Sequence, residues 1–142
     1  MSMKEISAAV MVLSAVVISV WVGSDLLAGG PAAEMSAAAW EMLWAIGYVI
    51  VFNIIAVIVG VIVVSIARRE EVKDERADER DRLINGKAMT AAYFVLSIGV
   101  LGVLVWQALG LEPNWVPYAL FGVSMLAGGA SAVSQLVLYR MS

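Results

Sequence analysis

Along the chain, long apolar stretches alternate with short polar ones. Four stretches contain no Asp, Glu, Lys or Arg: Ile6 to Ser24 (19 residues), Met42 to Ala67 (26), Ala88 to Leu111 (24) and Pro113 to Tyr139 (27). About 20 apolar residues cross the hydrocarbon of a bilayer as a helix, so each stretch is long enough to span. An open sheet would leave edge amides unpaired in lipid, and the short alternating segments of a barrel are absent. The pattern therefore predicts an all-α integral membrane four-helix bundle. Its helices cover about 6–28, 31–67, 88–110 and 115–139, forming two antiparallel transmembrane hairpins joined by a charged helical connector over 68–87. The whole chain, 1–142, reads as a single transmembrane domain.

Composition strengthens this reading. Hydrophobic residues make up 62% of the chain, against roughly 45–50% in soluble domains. The absence of Cys and His removes disulfide exchange, His or Cys haem ligation and the usual zinc sites. Lys4 ahead of an apolar run has the look of a signal peptide. The run is long, however, and "DLLAGGPAAEM" offers no small-x-small cleavage site, so a retained anchor is expected.

The charges also orient the chain. If both termini share a side, all nine Lys and Arg fall on that side: Lys4, Arg68, Arg69, Lys73, Arg76, Arg80, Arg82, Lys87 and Arg140. The positive-inside rule makes that side cytoplasmic and the membrane the inner, cytoplasmic one. Asp25, Glu34, Glu41 and Glu112 then lie outside. The five tryptophans, Trp21, Trp40, Trp44, Trp106 and Trp115, fall near the outer ends of their segments with Tyr48 and Tyr118, as an interfacial belt would. Packing, or an aromatic pocket of the quinone-binding kind, is the other reading of these rings.

Turn chemistry separates the spans. In "AGGP", Gly29 and Gly30 can take positive φ and Pro31 suits a first helical turn. In "GLEPNWVPY", Asn114 is a candidate N-cap and Pro117 lies early in the fourth helix. In "LINGKA", Asn85-Gly86 is expected to end the connector helix, letting the third span start near Lys87. Helices in lipid associate where small residues recur every fourth position. These rows are Ala15, Ser19 and Gly23; Ala56 and Gly60; and Ser124, Gly128 and Ala132. They fit seams within the bundle, and "GVSMLAGGASAVSQ" also fits a homo-oligomer face on helix four.

Candidate chemistry is sparse. No span carries an ionisable side chain in its interior, which coupled transport normally needs. The serines have no His or Lys partner at depth and no Gly-x-Ser-x-Gly setting. Asn53, Gln107 and Gln135 are the amides of the spans; such groups join helices more often than they bind substrates. The chain is thus expected to be no enzyme, with no catalytic residue, cofactor or metal. An alternative is a subunit of an oligomeric transporter or channel, its pathway lined by Asn53, Gln135 and the small residues of helix four.

Residues 69–87, "REEVKDERADERDRLINGK", hold thirteen charges in nineteen positions. On a helical projection, Arg69, Lys73, Arg76, Arg80 and Lys87 fall within about 60° of one another. Glu70, Glu71, Asp74, Glu75, Asp78, Glu79 and Asp81 fill the other side. Three readings follow. The segment is a solvated connector with pairs such as Asp78 and Arg82, each worth about 0.3–0.5 kcal/mol. Or its basic stripe lies on anionic headgroups, at about 1 kcal/mol per base. Or its faces pair with another copy, or with a cytosolic or membrane protein. Seven acids backing the stripe make nucleic acid a poor partner.

"DERADERDRLINGKA" followed by an apolar helix resembles the juxtamembrane motif of uncharacterised small multipass membrane proteins of bacteria and archaea, in which DER-x-x-x-I precedes a span. Asp78, Glu79, Arg80 and Ile84 are the matching positions, and Asp74-Glu75-Arg76 is an additional copy. The resemblance covers the second half of the chain and implies membrane placement without an assigned activity. Because some of these proteins act beside small DNA-binding regulators, it also implies a regulatory role. Residues and resemblance together lead to the expectation of a structural, assembly or regulatory membrane component that works through its connector.

Overall fold

The computed structural model describes residues 3–69 and 79–141. They form four long helices: α1 (Met3–Gly29), α2 (Met35–Arg68), α3 (Glu79–Ala108) and α4 (Val116–Met141), with a short 3-10 turn at Pro113–Trp115. All four are long and apolar enough to cross a membrane. α2, at 34 residues, is about 50 Å long at 1.5 Å per residue, well beyond a hydrocarbon core of about 30 Å.

α4 is the helix around which the others gather. It packs along α3 and along α1, and near its start it also meets α2, while α1 packs along α2. The main core lies toward the α4 N-terminus, where Ile18 and Val22 of α1, Ala38, Met42 and Ala45 of α2, and Tyr118 and Phe121 of α4 close on one another. Two close approaches set the other seams. At Gly60 a Cβ would stand 3.0 Å from Ile6 Cγ2, and at Gly99 it would overlap the branched carbons of Val123. Glycine is what lets each pair of helices come so near.

Chain direction gives the bundle a basic end and an acidic end. The α1 N-terminus, α2 C-terminus, α3 N-terminus and α4 C-terminus share the first, which carries Lys4, Arg68, Arg69, Arg80, Arg82, Lys87 and Arg140 among the described residues. Asp25, Glu34, Glu41 and Glu112 lie toward the other.

Several boundaries differ from those expected. α2 starts at Met35, not Pro31, with Glu34 extended at φ −120°, ψ 142° as its N-cap. The intervening backbone is held by α4 and its leading turn instead: Ala32 N–H donates to Tyr118 Oη at 3.1 Å, and Asn114 Nδ2 donates to Ala33 O at 2.9 Å. Asn114 therefore bridges the two turns of the acidic end, and Glu112 takes the N-cap place. Gly30 has the positive φ, 70°, while Gly29 stays in α1.

The Asn85-Gly86 break does not form. α3 runs without interruption from Glu79 through both residues, because Ile84 and Ala88 on either side are buried and Asn85 Oδ1 accepts from Gln135 Nε2 of α4 at 3.3 Å. A helix end follows Asn-Gly when the chain is free to turn, and here packing holds it straight. The third span thus has two extra helical turns at its basic end. Where α3 does end, Gly110 at φ 70° forms a Schellman cap: its N–H donates to Gln107 O at 3.0 Å, and Leu111 N–H donates to Trp106 O at 3.4 Å.

Candidate functional site

The first turn of α3 is tied into the basic end by a small polar network. Lys4 Nζ pairs with Asp81 Oδ2, and Tyr139 Oη donates to Asp81 Oδ1 at 2.8 Å. Arg80 Nη2 donates to the Tyr139 carbonyl at 3.4 Å, and one turn inward lies the Gln135–Asn85 bond. The side chains of Lys4 and Asp81 are 32% and 16% exposed. This partial burial makes the pair worth more than a surface ion pair, and the loss of one partner costly to the other. The network borders a cavity of about 280 Å³ reached also by Ser7 and Arg82.

Asp81 is the centre of this arrangement, although on a helical projection it is one of seven acids opposite the basic stripe. Its partners come from chain positions near 4 and 139, so no local pattern pointed to it. Ile84 is buried on the face of α3 that also carries Asp81, one turn earlier. Within the DER-x-x-x-I stretch, Arg80 and Ile84 thus dock α3, while Glu79 is exposed; Asp78 lies outside the described residues. So do Lys73 and Arg76 of the basic stripe. Arg69 and Lys87 are exposed.

Arg69 does not continue the helical face that Arg80 and Lys87 share. Arg69 has φ 52°, ψ 28°, a left-handed C-cap whose N–H donates to Ile66 O at 3.4 Å. α2 ends there, so Arg69 is not in helical register with Arg80 and Lys87, which share a face of α3 seven residues apart.

The packing residues separate into three groups. Ala132 is buried and Gly60 meets Ile6. Ala15, Gly23 and Gly128 are half-buried, and no atom lies within 4 Å of a Cβ built at Gly23 or Gly128. Ser19 and Ser124 are exposed, with Ser124 Oγ donating to Leu120 O at 2.9 Å on its own helix. The buried row of α1 is Ser14, Ile18 and Val22, one residue round from the small-residue row.

Ser14 is the polar link between α1 and α2. Asn53 Nδ2 donates to Val49 O at 2.9 Å, which turns Oδ1 toward Ser14 Oγ, 3.1 Å away. The Ser14 hydroxyl donates there and also lies 3.0 Å from Met11 O. Both amides considered as linings of a transport pathway, Asn53 and Gln135, are therefore engaged in bonds between helices.

The class these features define is an all-helical protein with four helices long and apolar enough to span a membrane. No family model, curated protein or solved structure matches the chain.

Proposed function

We propose that the chain is a multi-pass protein of the inner, cytoplasmic membrane, built of two antiparallel transmembrane hairpins with both termini and the connector 68–87 in the cytosol. It has no enzymatic chemistry and works as an assembly or regulatory component. Its connector and the adjoining basic end contact anionic lipid or a protein partner, including another copy of the chain. The observation that carries this reading is the gathering of Lys4, Arg80, Asp81 and Tyr139 into one network. That network holds the last part of the charged segment against the bundle, while Arg69, Arg82 and Lys87 remain exposed. A fixed base with charges directed outward suits a docking surface.

The chain has no cysteine, so single cysteines report sidedness cleanly. In sealed cells an impermeant maleimide should label Glu34→Cys, and label Arg82→Cys only after permeabilisation. Gentle solubilisation should then yield a complex larger than one protomer, reduced in mass by Arg69→Glu combined with Lys87→Glu. Labelling of Arg82→Cys from outside, or a lone protomer whose retention of anionic lipid is unchanged by the double substitution, would overturn the proposal.

A further inference from the structure

At the acidic end, α1, α2 and Tyr118 of α4 border an open cavity of about 540 Å³ whose chemistry is unlike that of the basic end. Trp21, Trp44 and Tyr48 contribute rings to its wall, and Asp25, Glu41 and Tyr118 contribute oxygens. Trp21 and Tyr48 meet edge to face, 5.7 Å between centroids at 77°, and Trp44 stands 6.5 Å from Tyr48 at 35°. The three rings are 44%, 67% and 52% exposed in the order Trp21, Trp44, Tyr48, so each keeps surface that packing does not cover.

The oxygens are positioned in two ways. Glu41 Oε2 accepts from Tyr118 Oη at 2.6 Å, and Tyr118 Oη in turn accepts from Ala32 N–H. This relay fixes the Glu41 carboxylate at the wall and leaves its second oxygen without a partner among the described residues. Asp25 has no hydrogen bond or ion pair among them. No Lys or Arg lines the cavity. Two carboxylates and three aromatic rings in one wall form an environment that attracts a cation twice over, by charge and by the ring quadrupoles. A strongly hydrated metal ion would gain little from the rings, whereas a weakly hydrated organic ammonium uses both.

A shallow groove continues from the same Trp21 and Tyr48 along α1 and α2, past Ile18, Val51, Phe52 and Ile55. It carries no charged residue. From Tyr48 to Ile55 it follows α2 for about 10 Å, room for a short alkyl chain. A chamber with two carboxylates on a largely apolar wall, beside an apolar groove, matches a ligand with a cationic head and an apolar tail.

We infer that this cavity and groove bind an alkylammonium amphiphile, the head held by Asp25, Glu41 and the rings of Trp21, Trp44 and Tyr48, the tail lying against Ile18, Val51, Phe52 and Ile55. The chemistry is shared by a soluble alkylammonium compound and by the trimethylammonium head of a lipid. The site is independent of the connector and of the assembly proposed for it.

Calorimetric titration of the full chain in maltoside micelles with decyltrimethylammonium, kept below its own micelle concentration, tests the site. Saturable binding is expected, weakened about tenfold by Trp44→Leu and about fivefold by Asp25→Asn. Tetramethylammonium should bind at least tenfold more weakly than the decyl compound, because it leaves the groove empty. Competition by added phosphatidylcholine would identify a lipid head as the natural source, and its absence a soluble cation; either supports the site. Equal binding of decyl sulfate, or unchanged affinity in a folded Asp25→Asn, Trp44→Leu double variant, would overturn it. Equal affinity for tetramethylammonium would overturn the amphiphile.

Discussion

α4 and α2 are both long and apolar, yet they occupy opposite situations. α4 carries buried residues from its start to its middle, at Val116, Pro117, Tyr118 and Phe121 and then at Ala127, Ser131 and Ala132. α2, the most apolar of the four helices, has its buried residues only near its start, at Ala38, Met42 and Ala45, and none in its most apolar 18-residue stretch. Water would drive the most apolar helix inward first. A hydrocarbon solvent exerts no such drive, since its tails are as apolar as leucine, and association then follows close approach and hydrogen bonding. α4, with its run of Gly, Ala and Ser, is the helix that neighbours can approach; α2 presents Ile and Val over most of its surface, and α1 comes close to it at Gly60. The inversion is what a chain folded in lipid should show.

The sharpest way to break this comparison is at Gly99, where Val123 of α4 already occupies the place of a Cβ. Gly99→Leu should destabilise the bundle by about 3 kcal/mol, the upper range for overpacking, because the obstacle is the stiff β-branched side chain of Val123 rather than a flexible side-chain tip. Denaturation in mixed micelles measures the loss, and Val123→Ala should restore part of it. If Gly99→Leu were silent, α3 would not lean on α4 at this point, and α4 would lose its place as the central helix.

A smaller effect is expected where α1 meets α2. Ser14→Ala removes the donor that faces Asn53 Oδ1 and strands an acceptor among apolar side chains. A cycle of Ser14→Ala with Asn53→Leu should give a coupling of about 0.6–1.7 kcal/mol, the range for hydrogen bonds between helices in lipid. Zero coupling would mean that shape alone joins this pair of helices.

These sites also mark the limits of reading such a chain from its residues. The four spans, their order and the segregation of charge were legible, because charge cannot be hidden in a long apolar run. Gly60 and Ala132 stand out in the sequence as small residues; Gly60 meets Ile6 and Ala132 is buried. The buried row of α1 was not: Ser14, Ile18 and Val22 sit one residue round from Ala15, Ser19 and Gly23. When a helix is apolar on all faces, periodicity carries no information about which face meets a neighbour. Asp81 was hidden for a different reason, since its value comes from Lys4 and Tyr139, far away in the chain. The straight passage of α3 through Asn85-Gly86 likewise depends on Gln135 and on buried Ile84 and Ala88, partners that a local turn rule does not see. The rings of Trp21, Trp44 and Tyr48 fitted an interfacial belt, and only the fold brings them around one cavity with Asp25 and Glu41.

The smallest expected effect is the most informative about α2. Ile58 is 55% exposed in the middle of the helix, the position of a side chain that a hydrocarbon solvent would cover. Ile58→Ala should then change stability by no more than about 0.5 kcal/mol, whereas the same truncation in a packed core costs about 2–5 kcal/mol. The measurement pairs denaturation with the mass of the gently solubilised complex. A loss of more than about 1 kcal/mol together with a fall in mass would place a protein partner against this face. The bulk of α2 would then be an interface between chains, and its exposure in the single chain would reflect a missing neighbour rather than a hydrocarbon solvent.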